Sequence, residues 1–395
     1  MQAVREGRPL RVLYHHRIAA SDGMRVHVEE LIGAFRELGH EVRVVGPGSD
    51  EPKVAGDEPG RLEKLADLAR KLLPGAVAEG LELAYNLIAS RRLMAAIAAF
   101  KPDFIYERYN LYLLAGRSAA QRTGLPLVQQ INSPLAEERE RFGNLRLKRI
   151  ARRCEQALWR SATFALPVTE VLAATVREKR GRSEGVEVFH NGSRLDTQVS
   201  TAKDAAIRSE LGLEPDALVL GFVGFVRDWH GVGWAMDVLP QLGDKAHLVV
   251  VGDGPALNDL RQQAEAAGLA ARTHFVGAVP HHAVAGYVGT FDIALQIAAV
   301  AYASPLKIFD YMSLGRAIVA PDQPNIREIL TDGEDALLFK AGDAESFKAA
   351  LVRLGKDAAL RAKLGQGAKA TLVARRFTWK DNAARIAALV AQRSG

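Results

Sequence analysis

The sequence predicts an α/β chain made of two doubly wound halves. Short apolar segments alternate with longer segments of helical periodicity, both before and after a polar stretch at residues 194–204. Such alternation is typical of parallel sheets with helices on both faces. The length of 395 residues exceeds what one hydrophobic core normally holds. We therefore expect two Rossmann-like domains that face a cleft, with ligands at the carboxyl ends of the strands.

The apolar segments are assigned as strands in chain order. In the first half they lie at residues 10–14, 41–45, 104–106, 127–128 and 164–166, and in the second half at 219–223, 248–251, 274–276, 291–295 and 317–320. Between the first two strands, one face of a helix is formed by Val28, Leu31, Ile32, Phe35 and Leu38. The predicted domains are residues 1–190 and 191–375. A final helix within 376–395 is expected to pack back on the N-terminal domain.

The composition is that of an ordinary globular protein, with 48% hydrophobic and 25% charged residues. A single cysteine, Cys154, excludes an intramolecular disulfide and a cysteine-rich metal site. No run of about eighteen or more apolar residues is present, and no signal-peptide pattern begins the chain. We therefore expect a cytoplasmic protein. The net charge of +6 indicates an acidic partner.

Basic residues are concentrated in two segments, at residues 62–100 and 139–160. The second contains eight basic residues against two acidic ones, with Leu145, Ile150, Leu158 and Trp159 as its apolar component. One interpretation is peripheral contact with anionic lipid at the inner face of the plasma membrane. The alternative is a solvated helix face packed on its own domain. Nucleic acid is disfavoured, because the basic segments contain no recognised motif and no interleaved aromatic residues.

The most informative motif is the loop-to-helix transition that starts at Ser304-Pro305-Leu306-Lys307 and continues to Asp310. Pro305 suits the first position of a helix, and free N–H groups at a helix start attract anions. Lys307 adds a positive charge, which is unfavourable at a helix start unless an anion binds there. Asp310 can accept hydrogen bonds from ribose hydroxyls, or it can simply be an acidic residue favoured in a first helical turn. Together these groups indicate a nucleotide with a diphosphate.

At this point the chain resembles the retaining GT-B glycosyltransferases of family 4. An ordered set of motifs carries the resemblance over nearly the whole chain: the Gly23 loop, Gly39 to Val42, His190-Asn191-Gly192, Val223-Gly224 through His230-Gly231, Val251 to Pro255, Phe275-Val276-Gly277, Ser304 through Gly315, and Phe377-Thr378-Trp379. The set resembles a bacterial branch with Trp-His-Gly and Ser-Pro-Leu-Lys segments.

The resemblance implies transfer of a sugar, with retention of configuration, from a UDP- or GDP-linked donor to a saccharide acceptor. A lipid-linked acceptor, in polysaccharide or glycan assembly, fits the basic segments. No cofactor is implied beyond the co-substrate, and no metal, because the chain lacks an Asp-x-Asp motif in its loops. The leaving diphosphate itself would take the acceptor proton. Two alternatives stay open: a non-catalytic glycosyltransferase-like partner subunit and a nucleotide-sugar epimerase.

The chain departs from the usual family pattern at several positions. The family often has two acidic residues around the donor helix, where this chain has Tyr302 and Asp310. It tends to place Arg and Lys where this chain has Phe225 and His230. A histidine often found near the reacting sugar is replaced by Asn132. These differences are consistent with features of the branch.

The resemblance and the residue chemistry together assign roles. The catalytic assignments are Lys307, His230, Arg227 and Asn132, with protonated His230 as a phosphate donor or else a structural histidine. The donor assignments are Gly23, Gly224, Tyr302, Ser304, Pro305, Leu306, Lys307 and Asp310. The acceptor assignments are His27, with a helix-surface histidine as alternative, and Glu107 and Arg108, with a local ion pair as alternative. His15-His16 is rejected as a metal pair because no carboxylate is expected to complete it.

Overall fold

The computed structural model describes residues 8–18, 23–46, 75–143, 145–194 and 201–394. The chain divides into two compact units. Unit 1 contains residues Met1–His190 together with Lys380–Gly395, and unit 2 contains Asn191–Trp379. Each unit has its own parallel sheet.

The sheet of unit 1 is parallel, with the strand order β2-β1-β3-β4-β5. Its strands are β1 (Arg11–His15), β2 (Glu41–Val45), β3 (Phe104–Arg108), β4 (Leu127–Ile131) and β5 (Phe164–Pro167). All of them were predicted from their apolar residues. The structure extends β3 and β4 by polar residues, because the ladder continues through Glu107, Arg108, Gln129 and Gln130. Strand order 2-1-3 with parallel pairing is that of a doubly wound fold.

Helices cover this sheet, and their apolar faces were partly predictable. They are α1 (Gly23–Glu37), α2 (Gly75–Phe100), α3 (Ala115–Thr123), α4 (Leu135–Phe142), α5 (Lys148–Ser161) and α6 (Glu170–Arg180). In α1 most of the predicted face is buried, with Val28, Leu31, Ile32 and Phe35 at most 8% exposed. Leu38 follows the end of the helix and is half-buried. The hydroxyl of Thr169 caps the start of α6 by accepting from the N–H of Leu172, and Gly181 ends that helix in a left-handed conformation.

The basic segment 139–160 forms parts of two helices, the end of α4 and most of α5. Its predicted apolar component is largely turned into the protein, since Leu145, Leu158 and Trp159 are buried while Ile150 is 42% exposed. The packed-helix alternative therefore describes the apolar side of α5. Of the other basic region, residues 62–74 lie outside the described residues and 75–100 form α2.

The sheet of unit 2 is also parallel, with the strand order β11-β10-β9-β6-β7-β8. Its strands are β6 (Leu218–Val223), β7 (Ala246–Val251), β8 (Thr273–Gly277), β9 (Ile293–Leu295), β10 (Ala317–Asp322) and β11 (Leu337–Lys340). The edge strand β11 was not predicted. Two large clusters of buried apolar residues pack on the two faces of this sheet.

The helices of unit 2 are α7 (Thr201–Glu210), α8 (Val232–Val238), α9 (Leu257–Ala266), α10 (His281–Gly289), α11 (Leu306–Ser313), α12 (Pro324–Arg327), α13 (Ala344–Lys356) and α14 (Ala358–Ala374). The last helix, α15 (Trp379–Ser394), belongs to unit 1 from Lys380 onward, where Asn382 donates to the carbonyl of His190 at 2.8 Å. In the described part of the chain, no helix combines the length and apolarity that a membrane crossing requires.

Candidate functional site

A cluster of predicted donor residues lies at the carboxyl end of β6 in unit 2. Strands β6 and β9 are neighbours in this parallel sheet, so the loops that follow them leave from the same edge. The loop after β6 carries Gly224, Arg227 and His230, and the segment after β9 leads to Ser304 and Lys307 at the start of α11. The fold thus brings together residues about eighty positions apart.

Lys307 is held against an aromatic face in this cluster. Its Nζ lies 3.7 Å from the centroid of the Phe222 ring, a cation–π contact. Burial alone lowers the pKa of Lys307 to about 7, and among the described residues no carboxylate offsets this effect. The amine of Lys307 is therefore poorly solvated, and its charged form is disfavoured in the free protein.

Gly224 makes room for this amine. Its φ is +134°, and a Cβ at this position would lie 3.2 Å from Nζ of Lys307. Behind it, a Cβ on Gly252 would lie 2.0 Å from the carbonyl oxygen of Gly224, and one on Gly254 would lie 2.1 Å from that of Val226. These glycines allow two strand-end loops to pass at backbone distance.

His230 is neutral in the ligand-free protein, the state in which it donates less strongly to a phosphate; its role as a phosphate donor stays a prediction. Its Nδ1 accepts the backbone N–H of Arg227 at 3.1 Å, so the neutral ring carries its proton on Nε2. The ring centroid lies 4.0 Å from that of Trp229 and 5.5 Å from that of Phe222. Burial, and then the charges of Lys307 and Arg227, lower the pKa of His230 to about 3. His230 can still donate one hydrogen bond, through Nε2–H.

The remaining donor candidates differ in their surroundings. Arg227 is exposed, and its guanidinium lies 5.1 Å from the centroid of the Phe225 ring. Tyr302 lies in a turn before the helix and is half-buried. Asp310 accepts the hydroxyl of Ser193 on Oδ1 at 3.1 Å. Because α11 contains no acidic residue in its first turn, the reading of Asp310 as a first-turn residue is wrong.

The start of α11 is displaced by one residue from the prediction. Pro305 is the N-cap, with φ −68° and ψ 119°, and Leu306 is the first helical residue. Lys307 therefore lies in the first turn, as expected. Ser304 is 5% exposed, and its hydroxyl accepts the backbone N–H of Asn191 at 3.1 Å. The donor roles assigned to these residues stay predictions.

Unit 1 contains a second polar cluster, at the carboxyl ends of β1, β3 and β4. The carboxylate of Glu107 bonds Nδ1 of His15 at 2.7 Å and accepts from Nε2 of Gln129 at 2.9 Å. Glu107 and Gln129 are fully buried, and His15 is 3% exposed. The sequence interpretation missed His15 and Gln129, although polar residues inside buried strands were a usable signal.

Of the predicted acceptor residues, only Glu107 belongs to this buried cluster. Arg108 and Gln130 are the next residues in their strands and point to the opposite face of the sheet. His27 is 1% exposed and contacts Nε2 of Gln130, so the helix-surface alternative is wrong. Burial, and then the charge of Arg108, lower its pKa well below the ordinary value. Glu107 and Arg108 are the last two residues of β3 rather than part of a loop. The ion-pair alternative is wrong for Glu107, whose partners are His15 and Gln129. Contact between these residues and an acceptor stays a prediction.

Two further predicted residues lie near the same edge. Asn132 follows β4, and its Nδ2 is buried without a hydrogen-bond partner in the part of the chain that the structure describes. Gly23 is the first residue of α1 rather than part of the preceding loop, whose residues 19–22 lie outside the described ones.

His15-His16 was rejected as a metal pair partly because no carboxylate was expected nearby. That premise is wrong, because the carboxylate of Glu107 bonds His15. Across the described ranges there is still no group of three or more His, Cys, Asp or Glu residues arranged to hold a metal ion.

Comparison with solved structures supports the fold. The Anabaena protein HepE in complex with UDP superimposes with a TM-score of 0.71 at 18% identity, covering 97% of this chain and 100% of that one. The catalytic domain of starch synthase IV from Arabidopsis thaliana, bound to ADP and acarbose, gives 0.69 at 13% identity, with 97% and 99% coverage. At these identities the likeness concerns the fold.

Two family models match adjacent parts of the chain. One describes a glycosyl transferase 4-like domain and matches residues 22–192, and the other describes glycosyl transferases group 1 and matches residues 217–357. The chain is a GT-B glycosyltransferase. This assignment favours glycosyl transfer over the epimerase alternative.

Curated relatives of this glycosyltransferase are distant. A D-inositol 3-phosphate glycosyltransferase of Stackebrandtia nassauensis is 27% identical over 91% of this chain and 84% of its own length. A phosphatidyl-myo-inositol mannosyltransferase of Mycobacterium leprae is 29% identical over 52% of each protein. An uncharacterized glycosyltransferase of Methanocaldococcus jannaschii is 24% identical, and that match spans 57% of either protein.

Proposed function

We propose that this glycosyltransferase is a retaining enzyme of family 4 that transfers a hexosyl group from a UDP- or GDP-linked sugar to a saccharide on a lipid carrier. The observation that carries the proposal is the position of Lys307. A desolvated amine next to a helix start, whose pKa no carboxylate of the described residues raises, favours a bound anion. A diphosphate supplies such an anion.

The surrounding groups complete the donor site in this proposal. Nε2–H of His230 and the guanidinium of Arg227 donate to phosphate oxygens, together with the N–H groups around Ser304 and Leu306. Asp310, which also accepts the hydroxyl of Ser193, accepts from the ribose hydroxyls in this proposal. Gly224 admits the phosphates as well as Lys307, and Tyr302 borders the sugar. Complexes of neighbouring structures with UDP and with ADP support a nucleoside diphosphate ligand.

The transfer step follows from these charges. The bond between the anomeric carbon and the diphosphate breaks, and the acceptor hydroxyl attacks the same face of that carbon. A diphosphate oxygen takes the hydroxyl proton. Lys307, His230 and Arg227 stabilise the charge that develops on the leaving group, so the proposal uses no divalent metal. No covalent nucleophile is assigned, because Asp310 is committed to Ser193 and to the ribose.

Unit 1 is assigned the acceptor. Asn132 binds a sugar hydroxyl, and its buried, unpartnered Nδ2 supports a hydrogen bond to a ligand. His27, Glu107 and Arg108 shape the same strand edge from within the unit. Unit 2 is correspondingly assigned the donor.

A lipid-linked acceptor is supported by the surface of α4 and α5. Arg149 and Arg153 of α5 and Arg146 just before it are exposed. Two apolar residues, Ile150 of α5 and Phe142 at the end of α4, are 42% and 67% exposed. Cationic side chains next to exposed apolar ones suit an anionic membrane surface. A distant relative named phosphatidyl-myo-inositol mannosyltransferase supports an acceptor that carries a lipid.

The donor proposal is tested by thermal unfolding in EDTA with UDP, GDP, ADP and their common sugars. A ligand that binds the folded state raises the unfolding midpoint by mass action. We expect a clear increase with UDP or GDP and no further increase when magnesium replaces EDTA. If no nucleotide raises the midpoint under either condition, the donor site is wrong and the non-catalytic subunit alternative is favoured.

The membrane proposal is tested by co-sedimentation with vesicles. We expect binding to vesicles with about a third phosphatidylglycerol and little binding to pure phosphatidylcholine. Each Lys or Arg near an anionic surface contributes about 1 kcal/mol. The variant R149E/R153E should therefore bind at least tenfold more weakly. The matched control R353E/K356E changes two exposed residues of unit 2 and should bind normally. If both variants lost vesicle binding equally, the net charge of the protein, and not the surface of α5, would account for the binding.

A further inference from the structure

The segment between β9 and α11 has no regular structure, but it is fixed by three buried carboxamides. Gln296 lies at its start, Asn325 belongs to α12, and Asn191 is the first residue of unit 2. Their exposures are 3%, 0% and 6%. All three side chains donate hydrogen bonds to carbonyl groups within residues 298–304, a segment that we call the donor loop.

Each carboxamide donates to carbonyl oxygens of the donor loop. Nδ2 of Asn325 donates to Ala303 at 2.7 Å and to Val300 at 3.2 Å. Nδ2 of Asn191 donates to Ser304 at 2.6 Å, and Nε2 of Gln296 donates to Ala298 at 2.6 Å. The backbone adds one turn, in which the N–H of Ala303 donates to Val300 at 3.0 Å.

The amide oxygen of each carboxamide, unlike the amide nitrogen, makes no hydrogen bond with the loop. Oδ1 of Asn191, Oε1 of Gln296 and Oδ1 of Asn325 are buried and have no hydrogen-bond partner within the described ranges. A buried, unpaired amide oxygen is unfavourable by about 1–3 kcal/mol. An apolar side chain of similar size would fill this space without that cost. The carboxamides therefore do something for the loop that packing alone does not.

The planarity of the peptide bond shows what the carboxamides do for the loop. In a trans peptide the N–H of the next residue points opposite to the carbonyl. Because the carbonyls of Ala298, Val300 and Ala303 face the carboxamides, the N–H groups of Ala299, Ala301 and Ser304 point away from them. Each of these N–H groups thus points away from the carboxamide that holds the preceding carbonyl. Donors fixed in advance bind an anion without the entropic cost of ordering the loop.

We propose that Gln296 and Asn325 are positioning residues that preorganise N–H groups of the donor loop for the nucleotide diphosphate. Asn191 fixes the end of the loop, because the residue after the Ser304 carbonyl is Pro305, which has no N–H. This inference rests on the donor site proposed above. None of the three needs to touch the ligand. Their contribution is to the affinity for the donor, and the bound loop is expected to be the same with or without them.

Asn325→Leu is the test variant, because Asn325 is fully buried and holds two carbonyls. Asn382→Leu is the matched control. Asn382 is also a buried carboxamide, 6% exposed, that donates to one backbone carbonyl, but it lies in α15 of unit 1. We expect both variants to lose stability in urea. Only N325L should raise the Kd of the tightest-binding nucleotide among UDP, GDP and ADP, roughly tenfold. Its donor KM should rise, with kcat within about threefold of the wild type.

Amide hydrogen exchange of the free protein separates this inference from the donor proposal. In N325L we expect faster exchange at the N–H of Ala303, and no change there in N382L. Unchanged exchange in N325L would overturn the positioning role whatever the enzyme binds. Faster exchange with an unchanged Kd would overturn it as well, because the order of the loop would then not matter for the donor. If the wild type binds no nucleotide, the donor proposal fails, and the inference that rests on it fails with it.

Discussion

Replacing Lys307 with Met should weaken donor binding while making the folded protein more stable. Met has a similar length and keeps the apolar contact with Phe222, but it removes the charge. A hydrogen bond from a charged donor to an ionised phosphate contributes about 1.5–3 kcal/mol, so the Kd of a nucleotide sugar should rise roughly 10- to 100-fold. Because burial lowers the pKa of Lys307 to about 7, the charge is unfavourable in the free protein. The unfolding midpoint of K307M should therefore increase.

The same lysine predicts the pH dependence of binding. A bound diphosphate favours the protonated amine and raises its pKa above the value of about 7 in the free protein. Donor affinity should then be full below pH 7 and fall by up to about tenfold per pH unit as the pH rises above 7. His230, with a pKa of about 3, stays neutral throughout this range. Calorimetric titration with a UDP-sugar between pH 6 and 9 measures the slope, and K307M should show none. A wild-type profile as flat as that of K307M would remove Lys307 from the donor site.

The strands of both units could be predicted because buried parallel strands consist of apolar residues with few interruptions. The exception, β11, is informative. It is short, lies at the edge of its sheet and ends in the exposed Lys340. Edge strands are commonly short and charged, which weakens their apolar signal. The length of β3 was underpredicted for a related reason, since Glu107 and Arg108 are polar but buried.

Sequence motifs predicted the residues of the donor cluster but not the contacts between them. Ser304 through Asp310 indicated an anion site, and the structure places Lys307 in the first helical turn. The position of Phe222 under its ammonium group depends on how β6 lies against α11, and a sequence pattern does not contain this information. The neutral state of His230 likewise depends on burial against Phe222 and Trp229 and on two nearby cations.

The cluster of unit 1 shows why register matters. His15 is paired with Glu107 across β1 and β3, and Glu107 with Gln129 across β3 and β4. Residues in one row of a sheet point to the same face, so this register brings three polar side chains together. The sequence shows which segments are strands, but neither the order 2-1-3-4 nor the register. Without them, Glu107 could not be connected to a histidine 92 residues away.

Gly116→Ala should strongly destabilise unit 1, because the added methyl group would collide with the side chain of Glu107 in this row. Gly116 lies in the first turn of α3, and a Cβ there would be 2.1 Å from Oε2 of Glu107. The carboxylate has little room to move, since His15 and Gln129 hold it and it is fully buried. Overpacking at such a contact costs about 3 kcal/mol. Urea unfolding of the variant should show this loss.

Gly80→Ala is the matched control for this substitution. Gly80 also lies in a helix of unit 1, but a Cβ there would meet nothing within 4 Å. Alanine should stabilise that helix by up to about 1 kcal/mol. The double variant G116A/E107A separates the collision from other effects, because removal of the carboxylate leaves room for the new Cβ. Its destabilisation should be clearly smaller than the sum of the two single losses. Additive losses would show that Glu107 is not what requires a glycine at position 116.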